Sequence, residues 1–78
     1  MKESDIRWLG LRISGSVGQE LIDFALKSTE GYPPGTDVVV QAERLGSGYA
    51  VRVFVKRPQD PGHFAIFDTL GKPYVPRG

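Results

Sequence analysis

Apolar and polar side chains alternate most regularly between Asp37 and Arg57, where two valine-rich runs flank Gly46 and Ser47. A Gly-Ser pair between such runs predicts a β-hairpin with a two-residue turn, and a four-residue loop over Leu45–Gly48 gives the same register. A slip of one residue would turn the valines outward, so the pattern specifies the register strongly. The predicted cross-strand pairs are Ala42 with Val51, Val40 with Val53, Val38 with Val55, Gln41 with Arg52, Val39 with Phe54 and Asp37 with Lys56.

A helical pattern precedes the hairpin. Apolar residues recur every three or four positions, which predicts a helix from about Val17 to Thr29 that ends before Gly31. Ser16 and Gln19 have the spacing of a capping box at its start. The apolar arc spans roughly 200°, wider than one sheet face covers. Its flank, Ile22 and Leu26, therefore needs the N-terminal segment, the C-terminal tail or a second copy of the chain to cover it.

The segment from Ile6 to Ile13 fits two patterns. Leu9, Leu11 and Ile13 alternate with other residues as in a strand, whereas the two isoleucines and Leu9 also fit a helical stripe. We favour the strand, with Leu9, Leu11 and Ile13 towards the core. Trp8 then lies partly exposed on the opposite side, where a lone tryptophan is a common binding anchor. In a helix, Trp8 would be a core residue.

A third apolar run, His63 to Asp68, predicts the last strand after a turn rich in proline and glycine. In every register, one of its two phenylalanines joins Phe54 on the face away from the valines. Pairing of His63 with Lys56 selects Phe67 for that position. The C-terminal residues 73–78 contain two prolines and can add only a short edge strand or a wrapping tail.

Together these elements predict a single α+β domain over residues 1–78, with residues 1–5 and 77–78 frayed. One amphipathic helix packs on a mainly antiparallel sheet of three or four strands, in the order βαβββ. A helix followed by a three-stranded meander, with the turn at 67–72, resembles PepSY and cystatin-like domains in outline, and the resemblance implies the fold alone. The expected core is Leu9, Leu11, Ile13, Leu21, Phe24, Ala25, Val38, Val40, Val51, Val53, Val55 and Ile66.

Composition narrows the class of protein. The chain has 78 residues, of which 40% are hydrophobic and 24% charged, as in an ordinary soluble domain. It has no cysteine, so the sequence offers neither a disulfide framework nor a thiolate metal site. No apolar run approaches membrane-spanning length, and we expect a cytoplasmic protein without a membrane partner. The net charge is +1, with most acidic residues before Arg44 and a mildly basic second half.

The outer side of the predicted sheet carries the main candidate surface, in which Val39, Phe54 and Phe67 are ringed by Gln41, Arg52 and Lys56. Aromatic residues with a polar rim are typical of protein interfaces. We therefore predict a non-enzymatic binding module that forms a homodimer through this face, the helix flank or both; an unidentified protein partner is the related possibility. The candidate contact residues are Val39, Phe54, Phe67, Arg52, Lys56, Ile22, Leu26 and Trp8.

Two other functions remain open. Aromatic rings among basic groups on a sheet also suit single-stranded nucleic acid, since bases stack on the rings and phosphates pair with the cations. The space between helix and sheet could instead carry a small apolar ligand.

Enzymatic chemistry has weaker support. His63 is the single histidine, and Asp60 or Asp68 could orient it towards Ser14 or Ser16 as nucleophile. Nothing in the spacing brings these groups together, and no third metal ligand stands at a recognisable distance in sequence. We therefore predict no catalytic site, no metal and no cofactor.

Two short motifs have simpler structural explanations. The glycines around Ser16 are better explained by a helix start than by a phosphate loop. The Pro-x-x-Pro motif of the C-terminus is better explained by a packed tail than by a polyproline ligand.

Overall fold

The fold is a four-stranded mixed sheet with one helix on one face, which confirms the predicted α+β class. The structure is a computed structural model that describes residues 2–10, 13, 15–69 and 71–76. A 3-10 turn at Glu3–Asp5 comes first. The other elements are β1 (Ile6–Gly10), α1 (Gly15–Ser28), β2 (Asp37–Leu45), β3 (Gly48–Lys56) and β4 (Phe64–Asp68).

The strands lie in chain order, β1-β2-β3-β4. β1 runs parallel to β2, because α1 crosses over between them and returns the chain to the same end of the sheet. β2, β3 and β4 pair antiparallel. β1 and β4 are therefore the two edges.

The central hairpin has the predicted register throughout. Val38 lies opposite Val55 and Val39 opposite Phe54, and the other predicted pairs are also present. The turn is the two-residue one: φ of Gly46 is +60°, whereas φ of Ser47 is negative. This combination belongs to a type II′ turn, which needs glycine at its first central position.

The helix packs on the inner face of the sheet, defined by the valines at 38, 40, 51, 53 and 55. Leu21 and Ala25 of α1 are fully buried against these valines, as predicted. Ile13, Phe24 and Ile66 are half-buried at the margin of the core, and Leu11 lies outside the described residues. Ile6 and Ala42 join the core without having been predicted.

The helix begins at Gly15, two residues earlier than predicted, and the predicted stop before Gly31 is confirmed. Gly31 has φ of +88°, the left-handed conformation expected just after a helix. The capping box was wrong, because Ser16 lies inside the first turn and the Gln19 amide donates a hydrogen bond to Asp23 over 3.0 Å.

Ile6–Gly10 is a strand, as favoured, but the prediction of its inward face was wrong. Ile6 and Trp8 lie beside Val38 and Val40 on the inner face, while Leu9 is 53% exposed on the other side. The strand ends at Gly10, whose φ is +85°. Ile13, the next described apolar residue of the predicted run, lies outside β1.

The predicted register of β4 holds for its first half, where Ala65 lies opposite Phe54, and is wrong for the second half, which follows a β-bulge. The pairing with β3 shifts between Val53 and Phe54, so Phe67 lies opposite Val53 instead of beside Phe54 on the outer side. The extra residue, Ile66, breaks the alternation that placed Phe67 beside Phe54. Phe67 packs instead on the helix, with its ring 4.6 Å from that of Phe24.

The C-terminal tail is fastened to the start of β3. Tyr49 and Tyr74 exchange two backbone hydrogen bonds of 2.9 and 2.8 Å. The Tyr74 ring lies 5.0 Å from Phe24, and its hydroxyl donates to Glu20 over 3.3 Å. The tail therefore wraps over the helix margin and joins the sheet by a single bridge rather than by a strand.

In the described part of the chain, α1 is too short and too polar to cross a membrane.

Candidate functional site

The face of the sheet opposite the helix is the candidate site, and we call it the outer face. No described helix or strand packs over it. Its side chains are those that alternate with the core valines, together with their partners on the edge strands. They are Arg7, Leu9, Asp37, Val39, Gln41, Glu43, Leu45, Ala50, Arg52, Phe54, Lys56, Ala65 and Asp68.

An apolar strip crosses this face with one residue from each strand: Leu9, Val39, Phe54 and Ala65. Phe54 lies directly opposite both Val39 and Ala65, and Leu9 is diagonal to Val39. Val39 is only 9% exposed, because its neighbours on the sheet cover it. The β1 end of the strip forms a shallow depression of about 330 Å³, lined by Arg7, Trp8, Leu9, Val39, Phe54 and His63.

A charged cluster borders one side of the strip and joins three parts of the fold. Arg7 of β1 donates two hydrogen bonds to Asp37 of β2, of 2.5 and 3.1 Å. His63, just before β4, lies 2.9 Å from the same carboxylate. The bonds from Arg7 lower the pKa of Asp37, partial burial opposes this effect, and the contact with His63 adds to the lowering.

A second ion pair borders the other side. Arg52 of β3 donates to Asp68 of β4 over 3.2 Å, and both side chains are more than a third exposed. Gln41 lies opposite Arg52 on β2. The strip is thus framed by two cross-strand charge pairs, and each arginine of the outer face has a carboxylate partner within the chain.

The predicted contact residues separate into three groups. Val39, Phe54, Arg52 and Lys56 share the outer face, as the hairpin register required. By register, Phe67 and Trp8 belong to the inner side, although Trp8 also lines the depression at the β1 edge. Ile22 and Leu26 are half-buried against the core. The structure adds Leu9 and Ala65 to the strip.

Sequence reasoning missed the Arg7–Asp37 pair and Leu9 for the same reason. Both depend on β1 lying parallel beside β2 with Arg7 next to Val39. An available signal was the helix between two strands, which favours a parallel crossover. Ala65 lies opposite Phe54 as the predicted register requires, and the bulge that follows it removes Phe67 from this face.

Among the described residues, His63 does not pair with the aspartates proposed for it, and Ser14 lies outside them. Asp60 is hydrogen-bonded by Arg57 over 2.7 Å and Asp68 by Arg52, so neither aspartate reaches His63 in the predicted way. His63 contacts Asp37 instead, with Leu9, Val39 and Phe54 beside it. Among the described residues, no group of three histidine, aspartate or glutamate side chains is placed to hold a metal ion.

Comparison with family models, with curated proteins and with solved structures found no match for this chain. The interpretation of the outer face therefore depends on its own geometry and charge.

Proposed function

We propose that the protein is a non-enzymatic interaction module that buries its outer face against a second copy of the chain. The observation that carries the proposal is the apolar strip Leu9–Val39–Phe54–Ala65, which crosses all four strands on the face that the helix leaves open. A contiguous apolar surface with a polar rim is characteristic of protein interfaces.

Self-association is supported by the charge balance of the outer face. The outer face carries three cationic side chains, those of Arg7, Arg52 and Lys56. It carries an equal number of carboxylates, those of Asp37, Glu43 and Asp68. A two-fold axis places the same patch on both sides of an interface, so the patch must be complementary to itself. A neutral rim of mixed sign around an apolar strip meets that requirement, and two sheets can stack on such faces about 10 Å apart.

The same features favour protein over nucleic acid as the partner. A nucleic-acid surface needs cations free to neutralise phosphates and several rings on which bases stack. Here both arginines of the outer face are engaged by carboxylates, and the bulge in β4 withdraws Phe67 and leaves Phe54 as the aromatic residue of the strip. The fully buried contact of Leu21 and Ala25 with the valines also leaves little room for a ligand between helix and sheet.

The proposal is tested by placing a charge in the strip. In Phe54→Asp, a carboxylate would have to be buried in the interface without a partner, so we expect the solution mass to fall to half that of the wild type or below. Val75→Asp is the matched control, because Val75 is 61% exposed in the tail, away from the outer face.

Light scattering after size exclusion measures both masses, and circular dichroism checks that each variant is folded. A folded Phe54→Asp with the wild-type mass would contradict the proposal, as would an equal loss of mass in Val75→Asp.

A further inference from the structure

The two edges of the sheet are protected to different degrees. At the β4 edge, a bulge interrupts the strand at Ile66, and bulges and charges are the usual means by which proteins prevent edge-to-edge pairing. β1 is a five-residue strand without a bulge that contains one charged residue, Arg7, and no proline, and only its last residue, Gly10, departs from the extended conformation. Among the described residues, β2 is the only strand that pairs with it.

We infer that β1 pairs antiparallel with β1 of a second copy, across a two-fold axis at Trp8, so that two sheets become one sheet of eight strands. This interface is at the edge of the sheet and shares Arg7 and Leu9 with the outer face, and neither interface requires the other. We assign the edge to a second copy because the side chains of this strand are compatible with their own equivalents in one antiparallel register.

Symmetry limits the possible registers. In an antiparallel pair, residues directly opposite each other lie on the same face of the sheet. Because neighbouring residues of one strand lie on opposite faces, the two-fold axis must pass through a residue and not between two residues. An axis at Arg7 would set two arginines opposite each other, which is unfavourable. An axis at Trp8 pairs all five residues of the strand, Ile6 with Gly10 and Arg7 with Leu9 of the second copy.

The side chains suit this register on both faces. On the inner face, Trp8 meets its own equivalent at the axis, and aromatic cross-strand pairs are favourable. On the other face, Leu9 lies opposite Arg7 of the second copy, whose apolar stem can cover it. Leu9 is 53% exposed in the single chain, and Trp8 is half-buried, so both have surface to lose on pairing.

Cysteine cross-linking tests the register directly, since the chain has no cysteine of its own. Arg7→Cys and Leu9→Cys are prepared separately, mixed and oxidised, and the disulfides are identified by intact mass. Opposed residues are within disulfide reach, whereas two copies of position 7 are about 8 Å apart in this register, beyond the limit of about 7 Å. We expect the mixed disulfide in roughly tenfold excess over either symmetric one.

The inference would be overturned if the three disulfides formed in the proportions expected for random pairing, or if no disulfide formed. If either variant fails to fold, hydrogen exchange of the wild type replaces it. The amides of Ile6–Gly10 should then exchange more slowly as protein concentration rises, and exchange independent of concentration would equally overturn the inference.

The cross-linking also separates this interface from the proposed face contact. Repeated in the Phe54→Asp background, the mixed disulfide should still dominate, because Phe54 lies two strands away from β1. If Phe54→Asp keeps the wild-type mass and the mixed disulfide forms, the edge pairing holds and the face contact fails. A halved mass without selective cross-linking would show the reverse.

Discussion

At the scale of single residues, Gly18 shows how a glycine can be required inside a helix by a neighbouring backbone. A Cβ atom at this position would lie 2.3 Å from the carbonyl oxygen of Ile13, in the segment that leads into α1. The Gly15–Gly18 stretch, whose glycines could suggest an anion-binding loop, is therefore explained in part by close packing of the chain on its own first turn.

Substitution of Gly18 tests this explanation. Gly18→Ala should lower the free energy of unfolding by about 1–3 kcal/mol, because the backbone must move to admit the methyl group. Gly62→Ala is the control, since a Cβ there has nothing within 4 Å and its φ is not in the left-handed region. Urea denaturation measures both. Equal stability of Gly18→Ala and the wild type would show that the close approach is not a constraint.

At the scale of elements, the sequence predicts best where a local pattern and a turn agree. The β2–β3 hairpin and its complete register follow from alternating valines about Gly46 and Ser47. The faces of β1 and β4 could not be predicted in the same way. A left-handed glycine ends β1 and a bulge interrupts β4, and each changes the alternation of side chains without a distinctive sequence pattern.

The same difference between the hairpin and the edge strands decides which residues of the outer face could be predicted from the sequence. The hairpin supplied Val39, Phe54, Arg52 and Lys56 correctly, because both of its strands alternate without interruption. On the edge strands, the place of Leu9 and the withdrawal of Phe67 required knowledge of how distant segments pair. Tertiary pairing, rather than local preference, decides which residues of β1 and β4 join the outer face.

The Arg7–Asp37–His63 cluster links β1, β2 and the segment before β4, and its contribution to stability should depend on pH. The lowered pKa of Asp37 means that the folded state favours the carboxylate. The stabilisation is therefore complete above the ordinary aspartate pKa of 3.8 and is lost as the pH falls through the lower folded value.

Asp37→Asn removes this dependence. We expect the wild type to be more stable than Asp37→Asn near neutral pH, and the difference to shrink as the pH is lowered below the ordinary aspartate value. Thermal denaturation of both proteins across the acidic range measures it. A difference that stays constant down to pH about 2 would show that the charge of Asp37 does not contribute to folding.

At the scale of the whole molecule, one helix covers one face of a four-stranded sheet and leaves the other face without cover from a described element. A small domain without disulfides often completes its burial by self-association. We propose that a second copy covers the outer face, with its apolar strip and neutral rim, or pairs with the edge of β1.

The solution mass of the wild-type chain, measured by sedimentation equilibrium at low and moderate salt, tests the central claim most directly. Because the proposed contact is apolar and the charges of its rim are largely paired within the chain, we expect a multiple of the 8.6 kDa chain mass at both salt concentrations. A mass of 8.6 kDa at every concentration tested would contradict self-association and leave the outer face without its proposed partner.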